Sequence, residues 1–323
     1  MNITNKHNIS LPLAVLLLRD DYDHDDRTNV ISATTLMKPL KSIIIGRQNI
    51  GLGRTVDLMD LVPSSMGNAF HDWLENAWKN KDTVIKALRA CGASDEEISR
   101  IRINPVNPVE DGDIVVFIEK RSEKEILGFI ISGKFDSNIN GRFRDLKSCS
   151  AWSEVFSSND IEYTKQGSIY KWLNQDIESD NVIDIDKIFT DWSKSRARQG
   201  GNYPKARVMS GTYPLWSVEK TEQWIIERLT IIDNLSDAEQ SEMPVCTKEE
   251  LWASDDAWKY YKKIGAKRAT KVYYNQLEAE QRMTKDGGEI KFFPGEVRRC
   301  TYCNAVELCD QARECIADGR LKV

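Results

Sequence analysis

Residues 126–149, ILGFIISGKFDSNINGRFRDLKSC, decide the fold. They read as two β-strands joined by a turn. The first run, ILGFIISGKFD, is rich in β-branched and aromatic residues. The turn SNING brings Asn138, Asn140 and Gly141, residue types that tolerate unusual backbone angles. The second run, RFRDLKSC, is shorter and polar. Side chains two apart on a strand share a face, so Asp145 and Lys147 point the same way, and Asp136 closes the first strand nearby. Two carboxylates and one amine gathered at strand ends are costly unless something binds them. A hard divalent cation would do so, because it prefers oxygen ligands. In a chain with 29% charged residues a D-x-K triplet alone describes a solvated hairpin equally well.

The flanking segments extend the pattern. DIVVFIEK (113–120) reads as a strand before the hairpin, and EYTKQGSIYKWLNQ (162–175) as a helix after it, with Gln166 and Tyr170 four apart on one face. VIDIDKIFTDW (182–192) alternates as a strand, and 216–235 is an amphipathic helix. Upstream, a Pro/Asn-rich linker at 104–113 separates the sheet from a helical region. There GNAFHDWLENAW (67–78) is a helix placing His71 and Glu75 one turn apart. Residues 81–102 form two short helices with an N-cap at Ser94, and Cys91 is expected to be buried. Residues 32–46 read as one helix bent at Pro39, and 8–18 as a short buried element. The αβββαβ order predicts an α/β fold, a central mixed β-sheet flanked by helices.

Composition sets the bounds. The 323 residues suffice for one large domain or two modest ones, and 41% hydrophobic content supports a sizeable core. A net charge of −5 leaves nucleic-acid binding to local basic patches. The apolar run at 11–18 is too short to span a bilayer, and the acidic loop 20–26 replaces a cleavage site, so a cytoplasmic protein with no membrane partner is expected. The seven cysteines are then buried or metal-bound rather than a disulfide framework. GRQNIGLGRT (46–55) begins like a phosphate loop, but Leu52 and Gly53 stand where Lys and Ser/Thr are required, so no ATP chemistry is expected.

The last eighty residues differ. TKEELWASDDAWKYYKKIG (247–265) opens with a capping-box signal at Thr247 and Glu250 and reads as a helix, with a second at 266–284. RRCTYCNAVELC (298–309) then presents Cys300, Cys303 and Cys309 at metal-ligand spacing. These divisions give a first domain over 1–240 and a C-terminal helical, cysteine-stapled region over 241–323.

As an ordered set these segments resemble RecB-like nucleases of the PD-(D/E)XK superfamily. GNAFHDWLE is similar to their G-x-x-x-H-x-x-x-E segment, GKFD to G-x-x-D, DLK to D/E-x-K and QGSIY to Q-x-x-x-Y. The C-x2-C-x5-C run resembles the iron–sulfur staple of AddB-type and CRISPR-associated members. The resemblance covers 31–175 and 246–309 and is strongest to a stand-alone, phage-type exonuclease. It implies a restriction-endonuclease-like core and metal-dependent DNA hydrolysis in end processing or recombination, alongside a possible recombination partner protein in a bacterial host cytoplasm. By the resemblance His71, Asp136, Asp145 and the Leu146 carbonyl would ligate Mg²⁺ or Mn²⁺. Lys147 would hold the attacking water, Glu75 would orient His71 or a metal-bound water, and Gln166 and Tyr170 would position the strand.

Either a 4Fe–4S cluster or Zn²⁺ needs a fourth thiolate. No cysteine precedes Cys91, a departure from related nucleases, which often supply it near the N-terminus. Cys246 is the best substitute, because helices over 247–285 could fold back as a hairpin; Cys315 is the alternative. Two basic stretches are candidates for contacting DNA: 194–207 is Gly-containing and loop-like, and 260–274 interleaves Lys and Arg with Tyr. A catalytically silent DNA-binding scaffold and an endonuclease or RNA-directed nuclease are the competing readings. The complete His71, Asp136, Asp145 and Lys147 set argues against the silent one.

Overall fold

A computed structural model describes residues 2–19, 27–51, 55–157, 159–177 and 179–322. The acidic loop at 20–26 and the Leu52–Gly53 pair lie outside the described residues. The architecture is mixed α/β, a central mixed sheet flanked by helices.

In chain order the elements begin with β1 (Asn2–Thr4), α1 (Leu11–Leu18), β2 (Val30–Ser32), α2 (Ala33–Leu36), α3 (Leu40–Gln48) and β3 (Thr55–Asp57). A helical stretch follows: α4 (Val62–Lys79), α5 (Lys81–Ala90) and α6 (Asp95–Ser99). The sheet strands β4 (Ile101–Ile103), β5 (Ile114–Ile126), β6 (Phe129–Ile139) and β7 (Arg142–Cys149) come next. Then come α7 (Ala151–Val155), α8 (Asp160–Leu173), β8 (Val182–Phe189), α9 (Lys194–Gln199), β9 (Val208–Pro214) and α10 (Val218–Asn234). The C-terminal part holds β10 (Ala257–Tyr261), β11 (Lys271–Tyr273), α11 (Gln276–Asp286), β12 (Glu289–Phe293) and α12 (Asp310–Ala317). None of the described helices is long and apolar enough to cross a membrane.

The chain divides into two units: Met1–Met37 with Thr55–Thr230, and Lys38–Arg54 with Ile231–Val323. The second is discontinuous, taking in a segment that a boundary at 240 leaves in the first.

The first unit is built on a seven-stranded sheet of order β4-β5-β6-β7-β8-β9, with β2 pairing β6 off that path. The quoted hairpin forms as read at its second turn. Asn140 and Gly141 both have positive φ, 48° and 83°, the two-residue connection whose twist suits a hairpin. Its first run is broken, however. Leu127 and Gly128, at φ 51° and 77°, make a second two-residue hairpin, so Ile126 ends β5 and Phe129 opens β6. Glycine offers that conformation freely; leucine does not, and the apolar run hid the turn.

The neighbours of β6 explain where the site lies. Along one edge β2 pairs at Ile130–Ser132 and β7 pairs at Ser137–Ile139, leaving residues 133–136 between the two ladders. Phe135, Phe143, Ile131, Ile183 and Ile185 fill the buried face with Trp172 and Ile169 from α8. Helix α8 approaches closely because Gly167 has no side chain: a Cβ there would stand 2.6 Å from Leu215 Cδ2 and 2.8 Å from Ile183 Cγ2.

Four expectations need correction. The C-terminal region is not helical throughout: 257–261 and 271–273 are strands of a three-stranded antiparallel sheet with β12. The runs AWKYY and KVY are aromatic and β-branched, and this preference prevails over helix periodicity. Helix α1 is not a buried element, since only Ala14 and Leu17 are buried while Leu11 is 77% exposed. Cys91 is exposed, at the C-terminus of α5. The 32–46 helix is two helices, α2 and α3, because Pro39 takes the N-cap of the second. Ser94 caps α6 as read, in a capping box with Glu97.

Candidate functional site

The site grows from Asp136, where β6 loses a neighbour on both sides. Toward β7 the ladder stops at Ser137↔Arg144, and Asp136 Oδ2 instead accepts the Leu146 N–H at 2.6 Å. Toward β5 the ladder skips one pair: Ile118↔Ser137 and Lys120↔Phe135 are matched, while Glu119, opposite Asp136, has φ 52°. A non-glycine residue held there costs on the order of 1–3 kcal/mol, and such strain concentrates at functional sites.

That backbone turns Glu119 into the cleft. Its side chain is 8% exposed, Oε2 pairs with Lys134 Nζ at 2.5 Å, and Oε1 is buried with no hydrogen-bond partner. From α4, His71 Nδ1 approaches Asp136 Oδ1 at 3.3 Å. Among the described residues one group of three ligand types closes to within 4.8 Å of one another: His71, Glu119 and Asp136. Glu119 is the member that sequence reasoning missed.

Asp145 and Lys147 lie on the same cleft, which has a volume of about 680 Å³. Asp145 is buried; Oδ1 accepts from Gln166 Nε2 at 3.1 Å, and Gln166 Nε2 also donates to Tyr170 Oη at 2.7 Å. Asp145 Oδ2 is ion-paired with Lys147 Nζ. Burial pushes the Asp145 carboxyl up to about 6 against the pull of Lys147. Burial alone would lower the Lys147 ammonium, yet Asp145 and Asp136 outweigh it and the group sits above its ordinary value. The Asp136 hydrogen bond raises the His71 imidazole, and burial raises the Glu119 carboxyl.

The structure therefore brings together His71, Asp136, Asp145, Lys147, Gln166 and Tyr170. Leu146 enters through its amide N–H. Glu75 pairs with Lys79 one turn further along α4 at 2.7 Å, and the carboxylate on the imidazole is Asp136. Trp73, 72% exposed, stands on the cleft wall and was also missed. Hard oxygen donors, one imidazole and the partnerless buried Glu119 Oε1 are a donor set that fits a divalent cation.

The second unit holds the cysteines. Cys246, Cys300, Cys303 and Cys309 pack, half-buried, against a small core of Leu251, Val297, Val306, Ala312, Cys315 and Leu321. Burial pushes the Cys246 thiol up to about 12 and that of Cys300 to about 11, and Cys246 also feels Cys309, Cys300 and Cys303. Cys315 is part of the buried core itself, 1% exposed. Helix α3 completes the surroundings. Ser42 Oγ lies 3.2 Å from Cys303 Sγ, and buried Lys41 Nζ reaches Asp310 Oδ1 at 2.8 Å and the Gln240 carbonyl at 2.7 Å. Among the described residues no three of these sulfurs close to within 4.8 Å of one another. A single tetrahedral zinc, with Zn–S of about 2.3 Å, needs sulfurs about 3.8 Å apart.

The two DNA-contact candidates are both ordered. Residues 194–199 form α9 and the rest of that stretch a loop leading to β9, while 260–274 is the β10–β11 hairpin rather than a helix face. Cys149 is half-buried with its thiol raised by burial, as a packed thiol.

Among solved structures the chain is similar to SSO0001, at 15% identity and a TM-score of 0.39 over 71% of this chain and 86% of that one. It is also similar to a phage related exonuclease from Haemophilus somnus 129PT, at 21% identity and a TM-score of 0.25, over 39% of this chain and 61% of that one. No family model and no curated protein matches the sequence.

Proposed function

We propose that the protein is a metal-dependent deoxyribonuclease that hydrolyses phosphodiester bonds from DNA ends. The observation that carries this reading is the closure of His71, Glu119 and Asp136 within 4.8 Å beside buried Asp145 and Lys147. Three carboxylates in one cleft repel one another, and a bound cation removes that cost. His71, Glu119 and Asp136 would hold Mg²⁺ or Mn²⁺, with Asp145 lining the same cleft. When bound, the ion polarises the phosphoryl oxygen and acidifies water.

The chain's own residues do the rest. Lys147, kept as an ammonium by Asp145 and Asp136, donates a hydrogen bond to the attacking water and offsets charge building on the phosphoryl oxygens. Gln166 fixes Asp145 through its amide and is itself held by the Tyr170 hydroxyl. Asp136 keeps His71 in place while the Leu146 N–H fixes Asp136. In the second unit Cys246, Cys300, Cys303 and Cys309 would hold a 4Fe–4S cluster that staples the C-terminal chain to α3. The Cys246 thiol feels Cys309, Cys300 and Cys303, which supports it as the fourth ligand, with Cys315 as the alternative ligand and Zn²⁺ as the alternative metal.

End-labelled linear DNA and a covalently closed circle, incubated with Mn²⁺, test the reading. Labelled nucleotides released from the linear substrate alone, and lost in Asp136→Ala and Lys147→Ala, are the expected result. Nuclease activity that survives both substitutions contradicts it. Broad visible absorption of the purified protein, bleached by Cys246→Ser and kept by Cys315→Ser, tests the cluster.

A further inference from the structure

The basic stretch at 192–207 carries five cations and no acid, in a chain whose net charge is −5. Its aromatic neighbours are arranged in a way that core packing does not account for. Helix α7 starts two residues after β7 and is pinned at its N-terminus. Ser150 Oγ accepts from Trp152 N at 3.1 Å, and Asp191 accepts from Ser150 Oγ at 2.6 Å and from Ala151 N at 2.7 Å. On this clamped turn Trp152 and Phe156 stack, with ring centroids 6.1 Å apart and planes 23° from parallel. Phe156 is 72% exposed, and Tyr203 meets Trp152 edge-on at 5.6 Å. The exposed Arg196 guanidinium lies 5.1 Å from the Trp152 ring centroid, and Arg207 lies 5.9 Å from that of Trp192. Asp191 accepts hydrogen bonds from the start of α7 and also feels Arg196, while Glu154 pairs with Lys187 (2.5 Å), so one acid faces the five cations of this stretch.

We propose that α7, α9 and the 200–207 loop form a stacking platform for the unpaired bases of a single DNA strand on its way to the metal centre. The destination of the strand rests on the nuclease reading above. A rigid pair of exposed rings flanked by cations fits an anionic polymer that carries flat apolar rings. Duplex DNA keeps its base faces stacked inside, and an acidic peptide offers charge without rings. The location agrees. Helices α7 and α9 follow β7 and β8, which pair in parallel, and ligands of α/β sheets sit at the carboxyl ends of such strands. Trp152 lies five residues after Lys147, a reach of at most about 18 Å along the chain.

The test is fluorescence anisotropy of a labelled oligo-dT and of a blunt duplex of equal length, with the full chain in EDTA, where nothing is hydrolysed. The Trp152→Ala/Phe156→Ala double variant should weaken oligo-dT binding on the order of ten-fold or more, and Trp152→Phe should retain most of it. Arg196→Glu/Arg207→Glu should flatten the salt dependence by about 1.4 in log–log slope, two phosphates' worth for a single strand. Oligo-dT affinity equal to the wild type in the folded double aromatic variant, checked by circular dichroism, overturns the platform. So does a loss that is equally large for the blunt duplex, or a wild-type chain that binds no oligo-dT, which would leave the face to a protein partner. Failure of the nuclease reading shows separately, as absence of Mn²⁺-dependent hydrolysis by a wild-type chain that still binds oligo-dT.

Discussion

The carboxylate cleft of the first unit and the cysteine cluster of the second are both candidate metal centres, but their protein surroundings differ. The cleft is held by the fold itself: Leu146 N–H fixes Asp136, Gln166 fixes Asp145, and a broad apolar core of Phe135, Phe143 and Trp172 lies behind them. The cysteines instead are part of the packing, set around a core of six small or medium buried residues. The difference sets an expectation: metal removal from the cleft acts on activity, and loss of a thiol acts on folding.

The largest expected effect breaks this contrast directly. Cys300→Ser, which removes one thiolate of the cluster, should abolish cooperative melting of the second unit while EDTA leaves the melting of the first in place. Differential scanning calorimetry reads both, and equal responses of the two units would erase the distinction. Next comes Phe135→Ala, which should cost about 3–5 kcal/mol through the cavity it leaves in the first unit, read by urea denaturation. Smaller again is Gly167→Ala. Its methyl would meet Leu215 and Ile183, at about 1–3 kcal/mol, and the displaced α8 should lower nuclease activity through Gln166 more than it lowers Mn²⁺ affinity.

The smallest effect is pH dependence. His71 and Asp145 both sit above their ordinary values, Asp145 at about 6, and ligands must shed protons to bind metal. Mn²⁺ affinity should therefore fall between pH 7.5 and 5.5, where a carboxylate of ordinary pKa, near 3.8, would leave it level. Isothermal titration at the two pH values checks this.

Much of the first unit was readable from sequence because its signals are local. Alternating apolar residues gave β6 and β8, Asn140–Gly141 gave the hairpin turn, and the spacing of Gln166 and Tyr170 placed both on one face of α8. Glu119 was not readable. Nothing in DIVVFIEKRSEKEI separates it from Glu123 or Glu125, since its role comes from a positive φ opposite Asp136 and a lost ladder pair, both tertiary facts. Glu75 drew attention by helical spacing, but its neighbour Lys79 satisfies it first. In the second unit the cysteine spacing was legible. The strands around it were not, because lysines interleaved with tyrosines satisfy helix and strand patterns alike. The contribution of α3 comes from some two hundred residues away in sequence, where no local pattern announces it.

The claim on which the account stands is that Glu119, with His71 and Asp136, holds a divalent ion. Mn²⁺ titration of the wild type, Glu119→Gln and Glu75→Gln at pH 7.5 tests it most directly. The account requires Glu119→Gln to weaken Mn²⁺ binding at least about ten-fold, the usual cost of a lost metal partner, with Glu75→Gln close to wild type. The reverse order, or no Mn²⁺ binding by the wild-type chain, would contradict it.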